Sequence, residues 1–154
     1  FIAGSGGTLG SALVNAAPLK AVSFTGSCDV GNWLHGEASK RRLRIQLEMG
    51  GKNPTIVLGD CDFNAAVENV VNASFFSTGQ KCTATSRAIV EESIYDRFVE
   101  ALVERTRKLK VGNGLEPGID IGPAIDQGQL DTNLRYIEIG RSLDLLRRHE
   151  LARW

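Results

Sequence analysis

The stretch "AVSFTGSCDVGNWLHGEASKRRLRIQLEMGGKNP", residues 21–54, decides the fold. Ala21–Phe24 is a short apolar run halted at Thr25-Gly26-Ser27, the pattern of a strand ending in a turn. Asp29–Ser39 then places Val30, Trp33 and Leu34 on one helical face. Leu43–Met49 alternates apolar and polar residues as a half-buried strand does, and Gly50-Gly51 interrupts it before "TIVLG" resumes. Strand, helix, strand in this order predicts parallel strands joined by a crossover helix. Upstream, "FIA" is expected to be the end of a strand, and "GSGGTLG" (Gly4–Gly10) opens a short helical pattern through Leu13 and Val14.

The second half has a different rhythm. Asp62 is placed to cap a helix carrying Phe63, Ala66, Val67, Val70 and Ser74 on one stripe, running toward Phe76 and ending near Gly79. "SRAIVEE" is a strand pattern. Ser93 and Asp96 resemble a capping box for a helix with Ile94, Phe98 and Leu102 facing inward. Val111–Pro123 is a glycine- and proline-rich loop, and Asp126–Ile139 is a helical pattern. The chain has 154 residues, 42% hydrophobic and 23% charged, with 18 basic and 18 acidic side chains. Zero net charge argues against nucleic acid or an anionic membrane surface as the main partner. No apolar run is long enough to cross a bilayer. Cys28, Cys61 and Cys82 form neither a disulfide framework nor a zinc pattern, so a reducing, cytoplasmic compartment is expected.

Three places could carry chemistry. Cys82 lies in "FFSTGQKCTATSR" (75–87), where a helix gives way to small residues. A thiolate there would have room for a carbonyl carbon, while a free cysteine is more often a small buried hydrophobe. Glu48 ends a mostly apolar strand before two glycines. If buried it would be a general base with a raised pKa; in water it is an edge-strand glutamate. "FTGSCDVG" (24–31) is a strand-to-helix turn of the kind that binds phosphate, but such turns are usually structural. Cys28 and Cys61 read as unreactive, and His35 as a helix-surface residue. Arg87 is expected to pair with a carboxylate, and Asn53-Pro54 to shape the turn after "GGK".

"FTGS…G", "LEMGGKNP" and "GQKCTATSR", in that order, resemble the aldehyde dehydrogenase superfamily, and the similarity continues through "VGNGLEPGIDIGP" to about Gly140. The resemblance implies an α/β fold: residues 1–51 as the later part of a Rossmann-like parallel-sheet cofactor domain, and 52–140 as the start of an α/β catalytic domain. It implies NAD- or NADP-dependent oxidation of an aldehyde to its acid. Cys82 matches the nucleophile that forms a thiohemiacetal and then a thioester, its backbone amide being half of the oxyanion hole. Glu48 matches the base that activates the hydrolytic water, which favours hydrolysis over transfer to coenzyme A. Gly26 and Ser27 match the turn near the pyrophosphate. Gly4 borders the adenosine half, and Met49 and Gly50 border the cofactor, Met49 standing where many members have leucine. "QLEMGGKNP" resembles bacterial members acting on semialdehydes such as 2-oxoglutarate semialdehyde.

Family members are several hundred residues long, so an internal segment of a homo-oligomeric enzyme is expected. An oxyanion-hole asparagine, an adenosine-ribose lysine and a nicotinamide-ribose glutamate of the family lie outside these residues. An inactive remnant with exposed sheet edges and a nucleotide-independent thiol esterase are the alternatives. Arg141–Trp154, with Leu143, Leu146 and Leu151 among arginines, departs from the family pattern and reads as a basic amphipathic tail.

Overall fold

A computed structural model describes residues 1–142. The chain divides into two units, Phe1–Gly51 and Lys52–Trp154. Most of the Arg141–Trp154 tail therefore lies outside the described residues.

The first unit is a βαβ element preceded by a helix. Helix α1 spans Gly6–Asn15, strand β1 Ala21–Gly26, helix α2 Cys28–Lys40 and strand β2 Arg44–Met49. The two strands pair in parallel, Ala21 opposite Arg44 through Gly26 opposite Met49. Helix α2 begins because the Ser27 hydroxyl accepts a hydrogen bond from the Val30 amide at 3.3 Å, and Asp29 adds a favourable charge to the first turn. It lies close on the sheet at the buried Gly31: a Cβ there would stand 2.4 Å from Met49 Sδ. The far end is tied to α1 by the Arg41 guanidinium, which donates to the Val14 carbonyl and, at 2.9 Å, to that of Ala16. Val14, Leu34 and Ala38 are buried between these elements. The expected strand at "FIA" is not formed. Phe1–Ala3 make no ladder bonds and their side chains are exposed.

In the second unit strand β3 (Asn53–Val57) pairs in parallel with strand β4 (Thr85–Val90). Helix α3 (Phe63–Phe75) lies between them in sequence, and a 3-10 turn (Phe76–Gly79) follows it. Asp62 caps α3 as expected, its carboxylate accepting from the Ala65 amide at 3.1 Å. Helix α4 (Tyr95–Arg107) packs on α3, and Val57, Val67, Val70 and Phe98 form the core. Phe98 has no exposed surface and meets the Phe63 ring edge-on, centroids 6.0 Å apart. Helix α5 spans Gln127–Ser142 after the Gly/Pro loop.

Three local expectations fail here. Asn53 and Pro54 are not a turn but the first residues of β3, beside a register shift in the ladder. Ser93 does not cap α4. Its hydroxyl donates to Glu91 Oε1 at 2.6 Å, because Glu91 also holds the Gly59 amide at 2.7 Å and offers a better acceptor. Arg87 has no carboxylate partner among the described residues; its guanidinium donates to the Lys52 carbonyl at 2.6 Å. No helix among the described residues is long and apolar enough to cross a membrane.

Candidate functional site

In the first unit the parallel register brings two of the quoted motifs side by side. Gly26 is opposite Met49, so Gly26-Ser27 and Met49-Gly50 emerge together at the carboxyl ends of β1 and β2. In open α/β sheets this is the end at which ligands bind. The first amides of α2 open onto it, and the Cys28 thiol donates to the Gly50 carbonyl at 3.8 Å, linking the helix start to the segment after β2. Gly26 is crossed by the Phe24 ring, which lies 2.4 Å from where a Cβ would be. A cavity of about 640 Å³ runs along β1 from Ala21 to Phe24, and its lining includes none of Gly26, Ser27, Met49 or Gly50. Gly6, Gly7 and Gly10 of α1 line one side of it, Phe24 of β1 the floor, and Val30 and Trp33 of α2 the other side. Gly4 precedes α1 and lies outside the lining. The residues expected on one apolar face of α2 share this cavity: Leu34 is buried at it, while Val30 and Trp33 are about two-fifths exposed. An apolar slot beside an uncovered helix N-terminus suits a flat ring joined to a phosphate.

Glu48 is opposite Thr25 near the end of β2, and its side chain is exposed. It is not buried within the first unit, because residues of β2 alternate and Glu48 falls on the outward-facing set.

Cys82 belongs to the second unit and sits three residues past the 3-10 turn, at the amino ends of β3 and β4. Its side chain is exposed among the described residues. The backbone leading to it is unusual. Ser77, Thr78 and Gly79 all have positive φ, at 54°, 60° and 65°. Glycine is required at the last: a Cβ on Gly79 would lie 2.8 Å from the Ser74 carbonyl oxygen. Two non-glycine residues held left-handed cost free energy, a feature that clusters at functional sites. The loop is anchored from several directions. Asn53 Nδ2 donates to the carbonyls of Cys82 at 2.6 Å and Ala84 at 3.2 Å. Gln80 Oε1 accepts from the Ile125 amide at 3.1 Å, and the Thr78 hydroxyl donates to the Pro123 carbonyl at 3.4 Å. The Gly/Pro loop thus braces the cysteine turn. Among the described residues the Cys82 amide has no acceptor.

The sequence profile described as "Aldehyde dehydrogenase family" matches residues 1–146. The chain belongs to the aldehyde dehydrogenase family. It is 46% identical over 141 residues to the alpha-ketoglutaric semialdehyde dehydrogenase of Bacillus subtilis, covering 92% of this chain and 29% of that protein. It is also 46% identical to human aldehyde dehydrogenase 1A1 over 142 residues, again 92% of this chain and 28% of that protein. Among solved structures it resembles betaine aldehyde dehydrogenase from Staphylococcus aureus in complex with NAD+, with a TM-score of 0.89, 35% identity, and 92% of this chain against 28% of that one. An indole-3-acetaldehyde dehydrogenase complexed with NAD+ gives 0.87 at 39% identity, over 90% of this chain and 28% of that one. The chain thus spans under a third of the length of these aldehyde dehydrogenases, and its mixed α/β fold with parallel strands is theirs.

The sequence did not single out Asn53 as a contact of Cys82, nor Gln80 as its link to the Gly/Pro loop. Neither sits in a periodic pattern. The one available signal was Pro54, since a proline inside a ladder marks an edge or a bulge.

Proposed function

We propose that the protein containing this chain oxidises an aldehyde to the carboxylic acid with hydride transfer to NAD or NADP. Cys82 is the nucleophile and Glu48 the base. The observation that carries the reading is the exposed Cys82 thiol on a strained, braced turn, in a chain of the aldehyde dehydrogenase family. Family membership alone would fit a spent nucleophile; an accessible thiol at the end of a costly backbone turn favours a working one.

The steps balance as follows. The Cys82 thiolate adds its electron pair to the aldehyde carbon, and the carbonyl oxygen becomes an oxyanion that the unpartnered Cys82 amide can meet. The oxyanion re-forms the carbonyl and expels hydride from carbon, leaving a thioester on Cys82. Oxidised nicotinamide, when bound, supplies the acceptor for that hydride. Glu48 takes a proton from water, and the hydroxide adds to the thioester. The C–S bond breaks, releasing the carboxylic acid and the thiolate. The exposed setting of Glu48 in the first unit leaves its carboxylate open to water, as a base that activates water must be.

The residues of the first unit fit a dinucleotide. The uncovered N-terminus of α2, with Gly26 and Ser27, would hold the pyrophosphate, and Met49 and Gly50 would border the nicotinamide half. The cavity between Gly6, Gly7, Gly10 and Trp33 would take the adenosine, with Gly4 at its approach. The relatives named for alpha-ketoglutaric semialdehyde and 2,5-dioxopentanoate support a short semialdehyde as substrate class. Cytoplasmic residence and a homo-oligomer belong to the same proposal.

The test is aldehyde-dependent reduction of NAD+ and of NADP+, followed by nicotinamide absorbance. Reduction that disappears in Cys82→Ala supports the proposal. Ester turnover without nucleotide, lost in the same variant, would instead point to a thiol esterase. Inertness in both assays contradicts the proposal for this chain.

A further inference from the structure

We propose that Asn53 is a positioning residue for Cys82: its carboxamide fixes the backbone of the thiol-bearing turn so that the Cys82 amide is aimed for acyl transfer. This rests on the reading of Cys82 as the nucleophile. The geometry is specific. A carboxamide has two N–H donors, and Asn53 Nδ2 directs them at two carbonyls two residues apart, Cys82 O at 2.6 Å and Ala84 O at 3.2 Å. Between them the Ala84 amide closes on the Lys81 carbonyl at 3.2 Å, so the turn is pinned from within and from across the sheet. The register explains how a strand residue reaches the loop. Asn53 is opposite Thr85 but Pro54 is opposite Arg87, so Ser86 is an extra residue on β4 and the ladder is bulged beside the cysteine turn. Bulges re-aim side chains next to active sites. Pro54 cannot donate to the ladder at this point, which suits a bulge. Arg87, the next residue on β4, grips the Lys52 carbonyl at 2.6 Å and holds the start of β3 in place.

Fixing the carbonyl of Cys82 restricts the residue whose own N–H must face the oxyanion. An ester or aldehyde needs that donor in the transition state; alkylation by a haloacetamide displaces halide at saturated carbon and needs only the thiolate. The two reactions at one sulfur therefore separate positioning from general loosening.

The experiment compares acylation of Cys82 by p-nitrophenyl acetate with its alkylation by iodoacetamide, both read on the tryptic peptide Cys82–Arg87. Asn53→Ala and Asn53→Asp are expected to slow acylation on the order of tenfold, the loss of one to two hydrogen bonds, while alkylation is unchanged. Asn53→Ser, keeping one donor, is expected to fall between. Amide exchange over Cys82–Ser86 should quicken in Asn53→Ala while α3 and α4 stay protected. Equal slowing of both reactions, or acylation at the original rate in both variants, overturns the proposal. If Cys82 of the unaltered chain is not acylated at all, the nucleophile reading falls, and the positioning role with it. Amide exchange is then still informative: faster exchange confined to the turn shows that the bracket is real, whereas unchanged exchange removes that too.

Discussion

At the scale of single residues, three contacts separate packing from chemistry. Gly31 is glycine because Met49 lies where its side chain would go. Gly31→Ala gains helix propensity but drives Cβ into Met49 Sδ. Because the Met49 side chain is flexible and can swing aside, the net change is expected to stay within about 1 kcal/mol, and Met49→Ala should make Gly31→Ala more favourable because the two changes share one site. A denaturant series on the single and double variants checks this. Glu91 is the second case. Hydrogen bonds from the Ser93 hydroxyl and, next, the Gly59 amide hold its carboxyl below the ordinary carboxylate range. A depressed pKa contributes stability that is present above the unfolded-state value and lost as pH falls through the folded-state one. Glu91→Gln should therefore narrow the gap between urea midpoints measured near pH 7 and near pH 3. An unchanged gap would mean that other carboxyls carry the acid sensitivity. Cys82 is the third. Its exposure and the left-handed turn before it set it apart from half-buried Cys61, which packs on the core of the second unit.

At the scale of elements, helix starts follow side-chain chemistry that is local in sequence. Asp62→Ala removes the carboxylate that accepts the Ala65 amide and is expected to cost about 1 kcal/mol of stability, read as a lower urea midpoint. This cap, the Ser27 turn, the α2 stripe and the parallel strands were legible because each depends on residues within one helical turn or on strict alternation. The Ser93–Asp96 capping box was not, since a nonlocal competitor intervened: Glu91 takes the Ser93 hydroxyl while bridging to Gly59, 32 positions away. The roles of Asn53 and Arg87 were hidden for the same reason. Each reaches a carbonyl about 30 residues off across the β3–β4 ladder, and no periodicity encodes a bulge. "FIA" failed as a strand because an apolar run makes a strand only where a partner supplies the ladder. Cys82 and Glu48 were singled out by residue type and order, whereas the exposure of Glu48 depends on which face of β2 it occupies.

At the scale of the molecule, each unit has its own core. In the second, Phe98 is wholly enclosed and joins α4 to α3 through Phe63. Phe98→Ala is expected to cost about 3–5 kcal/mol, a large part of the stability of a small unit, and to show as loss of cooperative unfolding by circular dichroism. Large apolar side chains also remain uncovered, among them Ile56 and Ile89 on β3 and β4 and Leu134 and Ile137 on α5. The relatives are more than three times as long as this chain, and such faces are the kind that further chain buries.

The proposed oxidation requires Cys82 to carry the acyl group and Glu48 to direct its hydrolysis. The direct measurement is the mass of the Cys82–Arg87 peptide over time after the chain is mixed with a short semialdehyde and NAD+. The predicted result is an acyl adduct on Cys82 that decays in the unaltered chain, persists in Glu48→Gln and never forms in Cys82→Ala. An adduct that forms on Cys28 or Cys61 instead, or one that decays as fast in Glu48→Gln, would contradict it.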